Sequence, residues 1–517
     1  MNTEGPRVAV ALSMLTMAGA PALRAAGPVE SWLTTADLRQ ALAPQPALAF
    51  GPVAAPADDR IEIDETTGFQ TMLGLGSSLE PATCWNFWRM AAADREALME
   101  QVVDPGKGIG MNLMRICIGT PDFTGAPWYS YCDLPPGETD PELRRFSIER
   151  DRAYILPVLQ LARRKNPDLL FFASPWSPPG WMKSTGTMIG GRLLPQWYSA
   201  YARYFVRFIR AYEAEGIPIH AVTVQNEAGV DRAKERDPRW HYPSCRWTGE
   251  EEREFIRDHL GPALREAGLK AEIWCYDHNF NVRAAGDDPG LDYPRTILRD
   301  LGAATFVDGV AFHGYAGRPS GMSVFHEEFP HVPIHFTEGS VFGIKGAAEL
   351  IELLRNWATS YNAWVLMLDE SSKPNNGPFD ASDTPVELDT ATLKAKHLLD
   401  YHIYGQFMKF IPRGAVRVES RAVGRVPAQV AFRAPDGHCI LVAANPAARK
   451  ASFEIRWRGG SCAASLPPRS VGTWRWAGSS AVCSARLQPR AKTRADRHRR
   501  RRVLLSERDR SGIMMTT

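Results

Sequence analysis

Residues 219–229 read IHAVTVQNEAG, an apolar, β-branched run that ends in two amides and a carboxylate. Ile219, Val222 and Val224 suit a pleated, buried strand. Gln225, Asn226 and Glu227 do not suit an interior, because a buried carboxylate must be paired or neutralised. A strand that turns polar only at its C-terminal end is the mark of a parallel α/β fold at its working rim. Residues 332–339, VPIHFTEG, repeat the pattern and end in Thr337-Glu338-Gly339.

Working outward, strand candidates lie near 72–76, 112–118, 168–173, 219–225, 271–276, 307–312, 332–337 and 362–368. Helix-like stretches separate most of them. The clearest is 196–213, where Trp197, Tyr201, Tyr204, Phe205, Phe208, Ile209 and Tyr212 form one stripe at helical period, before Gly216 and Pro218 break it. That stripe reads as core. Strands alternating with helices imply parallel pairing, and eight such units predict a closed (β/α)8 TIM barrel. A doubly wound open sheet is the competing topology. It would draw functional groups only from strands beside its switch point. Here Arg115, Ser174 to Trp176, Asn226-Glu227, Asp277-His278, His313 to Tyr315, Glu338 and Trp364 all follow strand runs. Contributions from so many strands favour the barrel.

The flanks differ. Residues 27–50 (including SWLTTADLRQAL) read as helix then loop, and 60–73 as short strands. From 411 the chain shows GAVRVESRAVG, QVAFRAPDG, CILVAANPA, ASFEIRWRG and SVGTWRW, short strands with turn signals between them. These predict an antiparallel β-sandwich, which the early strands at 60–73 are placed to join. The expected map is a signal peptide at 1–26, an N-terminal segment at 27–73 giving strands to the sandwich, the catalytic barrel at 74–410, the C-terminal β-sandwich at 411–477 and a basic, disordered tail at 478–517. Arg7 before VAVALSMLTMAGAPAL (8–23) carries the export reading, hence a secreted or periplasmic location. No other segment has the ~20 apolar residues of a membrane span.

The formal charge of +3 is a product of the tail, since 484–510 holds eleven Lys/Arg against three Asp/Glu and includes RHRRRRV. The remaining chain is mildly acidic, which excludes a basic nucleic-acid groove; the charge run itself reads as solvated. Eight cysteines contain no Cys-x-x-Cys pair, so zinc-ribbon and redox motifs are excluded. Cys439 and Cys462 share one β-rich region, where they are either a disulfide or two buried thiols.

Two glutamates facing each other across a barrel mouth fit glycoside hydrolysis, which needs one protonated and one ionised carboxyl. Asn226 is placed to bind a sugar hydroxyl, and Arg115 to keep a carboxylate ionised. The assignment is Glu227 as general acid/base and Glu338 as nucleophile.

The chain resembles the glucosylceramidase-type glycoside hydrolases, family 30 of the retaining β-glycosidases. The resemblance rests on MNLMRICIGTPDFTG (111–125), FFASPWSPPGWMKSTG (171–186), AVTVQNE (221–227), YPSCRWTGEEEREFIRDHLGPAL (242–264), CYDHN (275–279), AFHGY (311–315), FTEG (336–339) and AWVLMLDESSKPN (363–375). It implies a barrel with a sandwich built from both chain ends, and the same two glutamates. It also implies substrate-binding roles for Arg115, Asp122, Trp176, Asn226, Tyr315 and Trp364; His313 is expected to support the rim. It implies double-displacement hydrolysis of β-glycosides, glucosylceramidase-like with a β-glucosyl unit favoured; β-1,6-glucanase and β-xylosidase are the alternatives. The expected partner is a carbohydrate or glycolipid, with no cofactor, no metal and no nucleic acid. Three departures stand out: Ala228 where proline is usual, Val365 where asparagine is usual, and GLGSSLE on the first strand.

Other chemistries fit less well. GLGSS (74–78) lacks the third glycine of a dinucleotide turn. Asp277, His278 and His313 lack a paired-ligand spacing for metal and are expected to hydrogen-bond instead. No Gly-x-Ser-x-Gly elbow exists for a serine hydrolase. A catalytically inactive carbohydrate-binding protein would have lost a carboxylate, and both are present.

Overall fold

The computed structural model describes residues 27–53, 57–339, 342–378 and 384–478. Eight parallel strands follow one another along the chain: Gly74–Ser77, Leu113–Ile118, Leu170–Pro175, Ile219–Thr223, Glu272–Phe280, Val307–Gly317, Ile334–Glu338 and Ala358–Ala363. From the second strand onward each pairs with the next, and the eighth returns to pair with the first. Individual contacts join the first strand to the second. Asn112 N–H donates to Leu75 O at 2.9 Å and Leu79 N–H to Arg115 O at 2.8 Å. Asn362 of the eighth strand bridges the seam, its Nδ2 donating to Leu113 O at 2.8 Å and Ser77 O at 3.2 Å. A Cβ on Gly76 would sit 1.9 Å from Leu113 O. The glycine-rich first strand is thus a packing requirement of the seam.

The helix Tyr198–Ala214 forms where the aromatic stripe predicts it, and Tyr201, Tyr204, Phe205, Phe208, Ile209 and Tyr212 are fully buried. Each such Phe contributes roughly 1.5–3 kcal/mol through burial. Tyr212 also donates its hydroxyl to the buried Asp151 at 2.6 Å, alongside Tyr131 at 2.7 Å. This ties the third helix of the ring to the loop after the second strand.

A ten-stranded, mainly antiparallel sheet forms the second layer. Arg60–Thr71 lies between Val416–Val423 and Ala451–Trp457, so both chain ends share one sandwich. Val29, Ile61, Val418, Leu441, Phe453, Trp457, Trp474 and Trp476 fill its core. Helices Gly343–Arg355 and Leu399–Met408 face the sandwich; Thr473 Oγ1 donates to Gln406 O at 2.6 Å.

Four expectations need correction. The eighth strand is Ala358–Ala363, earlier than 362–368. It hides from hydropathy because Ser360 and Asn362 are polar and buried, while the apolar run Trp364–Leu368 lies beyond it, divided between a small aromatic cluster (Trp364, Val365, Leu368) and the main core (Leu366, Met367). Val29–Thr35 and Ala43–Leu48 form a strand pair rather than a helix, because Val29–Thr35 pairs along its length with Ser470–Ala477. Tertiary pairing there overrides local propensity. Residues 60–71 form one twelve-residue strand, not several. Gly460–Leu466 is a further sandwich strand, overlooked because small residues dominate it. All seven described cysteines, Cys439 and Cys462 included, are buried free thiols; Cys439 Sγ donates to Glu65 at 2.9 Å. The expected signal peptide and nearly all of the basic tail lie outside the described residues.

Candidate active site

The C-terminal ends of the barrel strands converge on one buried guanidinium. Arg115, from the second strand, has no solvent exposure. Its Nη1 donates to Glu338 Oε2. Its Nη2 donates to Asn226 Oδ1 at 2.8 Å and to Asp277 Oδ2 at 3.0 Å, and its Nε to Ser174 Oγ at 3.2 Å. Four strand ends are therefore pinned to one side chain by charge-assisted hydrogen bonds. Asn226 spends its carbonyl oxygen on Arg115, which leaves its NH₂ to face a ligand.

Asp277 is the second hub, where the sequence alone predicts only a hydrogen-bonding role. Its Oδ2 also accepts from Thr223 Oγ1 at 2.7 Å and Ser174 Oγ at 3.1 Å. Its Oδ1 accepts from Thr337 Oγ1 at 2.6 Å and lies 3.1 Å from His313 Nε2. Burial pushes this carboxyl up, but Arg115 and His313 outweigh it and hold Asp277 well below the ordinary carboxylate range. The only sequence signal was its position in CYDHN at a strand end.

Glu338 ends the seventh strand and is 5% exposed. Tyr315, itself 46% exposed, donates its hydroxyl to Glu338 Oε1 at 2.9 Å. With Arg115 on Oε2, both oxygens of Glu338 receive a donor. Glu227 is held differently. It follows the fourth strand in the left-handed region, with φ 50°. Its N–H donates to Asp277 O at 3.0 Å and its carbonyl accepts from Val230 N at 2.9 Å, which fixes that conformation. Its Oε1 lies 3.6 Å from His313 Nδ1, an ion-pair distance rather than a hydrogen bond.

His313 stands between the two glutamates, its Nε2 3.8 Å from Glu338 Oε2. Burial pulls the imidazole down, but the Glu338 and Asp277 carboxylates outweigh it and raise it to about 9. Burial likewise pushes Glu227 up, while His313, His278 and Arg232 overcome that and hold its carboxyl below the ordinary range. His313 and Glu227 thus titrate as one pair, each favouring the charged form of the other. One oxygen of Glu227, one of Glu338 and a ring nitrogen of His313 lie within 4.8 Å of one another. That spacing would suit a cation, although Arg115 already pairs with Glu338 there.

The remaining expected residues pack around the same cluster. Trp176 and Trp364 stack with centroids 5.1 Å apart, and both rings lie against the Arg115 guanidinium, at 4.9 and 5.4 Å. Asp122 sits on the loop after the second strand; burial, then Glu338 and Glu227, push it up to about 8. Val365 is buried with Trp364, Phe123 and Leu368, so that position presents no amide. All nine residues picked from the sequence thus meet at one rim.

Carboxylates this close, at the C-terminal mouth of a (β/α)8 barrel, define the class of retaining glycoside hydrolases, in which the separation is about 5–5.5 Å. The chain belongs to glycosyl hydrolase family 30. Residues 72–411 match the glycosyl hydrolase family 30 TIM-barrel domain, and 414–474 match the family 30 beta sandwich domain. The endo-1,6-beta-D-glucanase of Neurospora crassa is 31% identical, covering 89% of this chain and 98% of that protein. The lysosomal acid glucosylceramidase of Mus musculus is 29% identical, covering 73% of this chain and 75% of that protein. A solved endo-beta1,6-glucanase superposes with a TM-score of 0.78 at 28% identity, covering 88% of this chain and all of that one.

Proposed function

We propose that this chain hydrolyses β-glucosidic bonds by double displacement, with Glu338 as nucleophile and Glu227 as general acid/base. The observation that carries this reading is the unequal treatment of two carboxyl groups that share His313: Glu338 has a donor on each oxygen, whereas Glu227 faces the His313 ring alone.

In the first step Glu338 attacks the anomeric carbon. The bond to the leaving oxygen breaks, and that oxygen takes the proton of the His313–Glu227 pair through Glu227. In the second step Glu227, the pair's proton having gone to the leaving group, takes a proton from water as the water's oxygen attacks the same carbon and frees Glu338. Two inversions leave the β configuration in place. Counting Arg115, His313, Asp277, Glu227 and Glu338, the cluster's net charge is the same before the first step and in the glycosyl-enzyme. Neither state accumulates buried charge. Tyr315 and Asn226 border the nucleophile, while Trp176, Trp364 and Asp122 shape the wall around the bound glucosyl unit.

The favoured leaving group is a glucose unit of β-1,6-glucan, supported by near full-length similarity to proteins named as endo-1,6-β-glucanases. A second reading, glucosylceramide and hence a glycolipid partner, is favoured by the mouse relative and by Caenorhabditis elegans relatives named as putative glucosylceramidases. Side-by-side digestion of β-1,6-glucan, glucosylceramide and xylan, with the product anomer followed by NMR, tests both. β-Glucose appearing first from the glucan supports the reading; an α-product, or release of xylose alone, contradicts it. Export belongs to the proposal as well, and the N-terminal sequence of the mature protein recovered outside the cell tests it. No described helix is long and apolar enough to cross a membrane.

A further inference from the structure

The loop that follows Glu227 contains a buried cation that the two-step chemistry does not use. Arg232 has a side chain only 11% exposed. Its guanidinium lies 4.8 Å from the Tyr242 ring centroid and 5.4 Å from that of Trp240. Nη1 donates to Glu235 at 3.1 Å and lies 3.9 Å from Asp287. The side chain also hydrogen-bonds Tyr242, while its Nε is buried with no protein partner. A buried charged donor left without a protein acceptor is costly unless water or a ligand supplies one.

Position identifies that ligand. Tyr242 is buried in the same aromatic cluster as Trp176 and Trp364, and Trp240 packs half-buried against it. Arg232 and Tyr242 both act electrostatically on Glu227. Glu227 delivers its proton to the leaving oxygen, so side chains on its own loop border the leaving group rather than the glucosyl unit. An aromatic face beside a fork of N–H donors recognises a pyranose ring with its hydroxyls. It is poorly matched to the alkyl chains of a lipid.

We propose that Arg232 and Trp240, backed by Tyr242, form the subsite that binds the first sugar ring of the leaving group and selects a saccharide over a lipid aglycone. The proposal rests on the Glu227–Glu338 reading and extends it to substrate choice. Trp240 supplies the stacking face, and Arg232 donates to ring or linkage oxygens.

The test compares two substrates that differ only beyond the scissile bond. Gentiobiose (β-1,6-linked) must occupy this subsite; methyl β-glucoside, whose alcohol leaves with the same need for a proton from Glu227, has no sugar there. For R232A, and separately for W240A, the ratio of kcat/KM on gentiobiose to that on methyl β-glucoside should fall about tenfold or more. A ratio within twofold of wild type in both variants overturns the subsite. An equal fall in the ratio of glucosylceramide to methyl β-glucoside overturns the assignment to a sugar. If the wild-type protein fails to hydrolyse β-glucosyl fluoride at all, the Glu227–Glu338 reading falls first, and the subsite with it.

Discussion

Glu338 and Glu227 flank the same imidazole, yet the chain holds them by different means. Glu338 ends a regular strand and has a donor on each oxygen, Arg115 on one side and Tyr315 on the other. Glu227 leaves its strand through a left-handed backbone turn, and His313 Nδ1 is its nearest cation at 3.6 Å. The first arrangement fixes both oxygens in place, as an attacking atom requires. The second lets a proton pass in and out. Burial alone would not separate the two roles; the identity of the partners does.

The comparison can be broken most severely at Glu338. Glu338→Gln should lose activity on every β-glucoside, by on the order of 10⁴–10⁶ in kcat, measured with both natural and activated aryl substrates. Glu227→Gln should lose about 10²–10⁴ on substrates with poor leaving groups, yet keep forming the glycosyl-enzyme from a dinitrophenyl glucoside. An equal loss on both substrate types would erase the distinction. Tyr315→Phe removes one donor to a charged acceptor, worth about 1.5–3 kcal/mol. It should lower kcat/KM roughly tenfold or more without changing the leaving-group dependence.

The smallest effect is one of pH. His313 titrates near 9 rather than near its ordinary 6.5 because Glu338 and Asp277 face it, with burial opposing them. The proton it shares with Glu227 is bound below that pH and lost above it. Rates on poor leaving groups should therefore fall about tenfold per unit above pH 9, beginning nearer 8 as Asp122 ionises. Folding stability has the same sign. The contribution from His313 is complete below its unfolded value and disappears as pH rises through about 9. A flat kcat/KM profile from pH 7 to 10 would separate His313 from the proton Glu227 delivers.

What the sequence showed and what it hid follow one physical line. Glu227 and Glu338 stand out because each interrupts an apolar strand, an arrangement that hydropathy registers directly. Asp277 stayed in the background although more of the site hangs on it. Its partners Arg115, Ser174, Thr223, Thr337 and His313 come from five other places in the chain, and only folding assembles them. Asp277→Asn would leave Arg115 and His313 short of a buried counter-charge and should cost about 3–5 kcal/mol in stability, read from the urea midpoint. The eighth strand was misplaced for a related reason: Asn362 is buried because it bonds across the seam, a fact no local pattern contains. Val29–Thr35 was likewise settled by a partner strand more than four hundred residues away.

The most direct measurement is to trap the intermediate. Incubation with a 2-deoxy-2-fluoro-β-glucosyl fluoride slows the second step more than the first, so the ester accumulates and can be located by mass spectrometry after digestion. The account predicts a single fluoroglucosyl group on Glu338, in the peptide containing IHFTEG. A label on Glu227 or Asp122, or hydrolysis that never accumulates an ester, would contradict it.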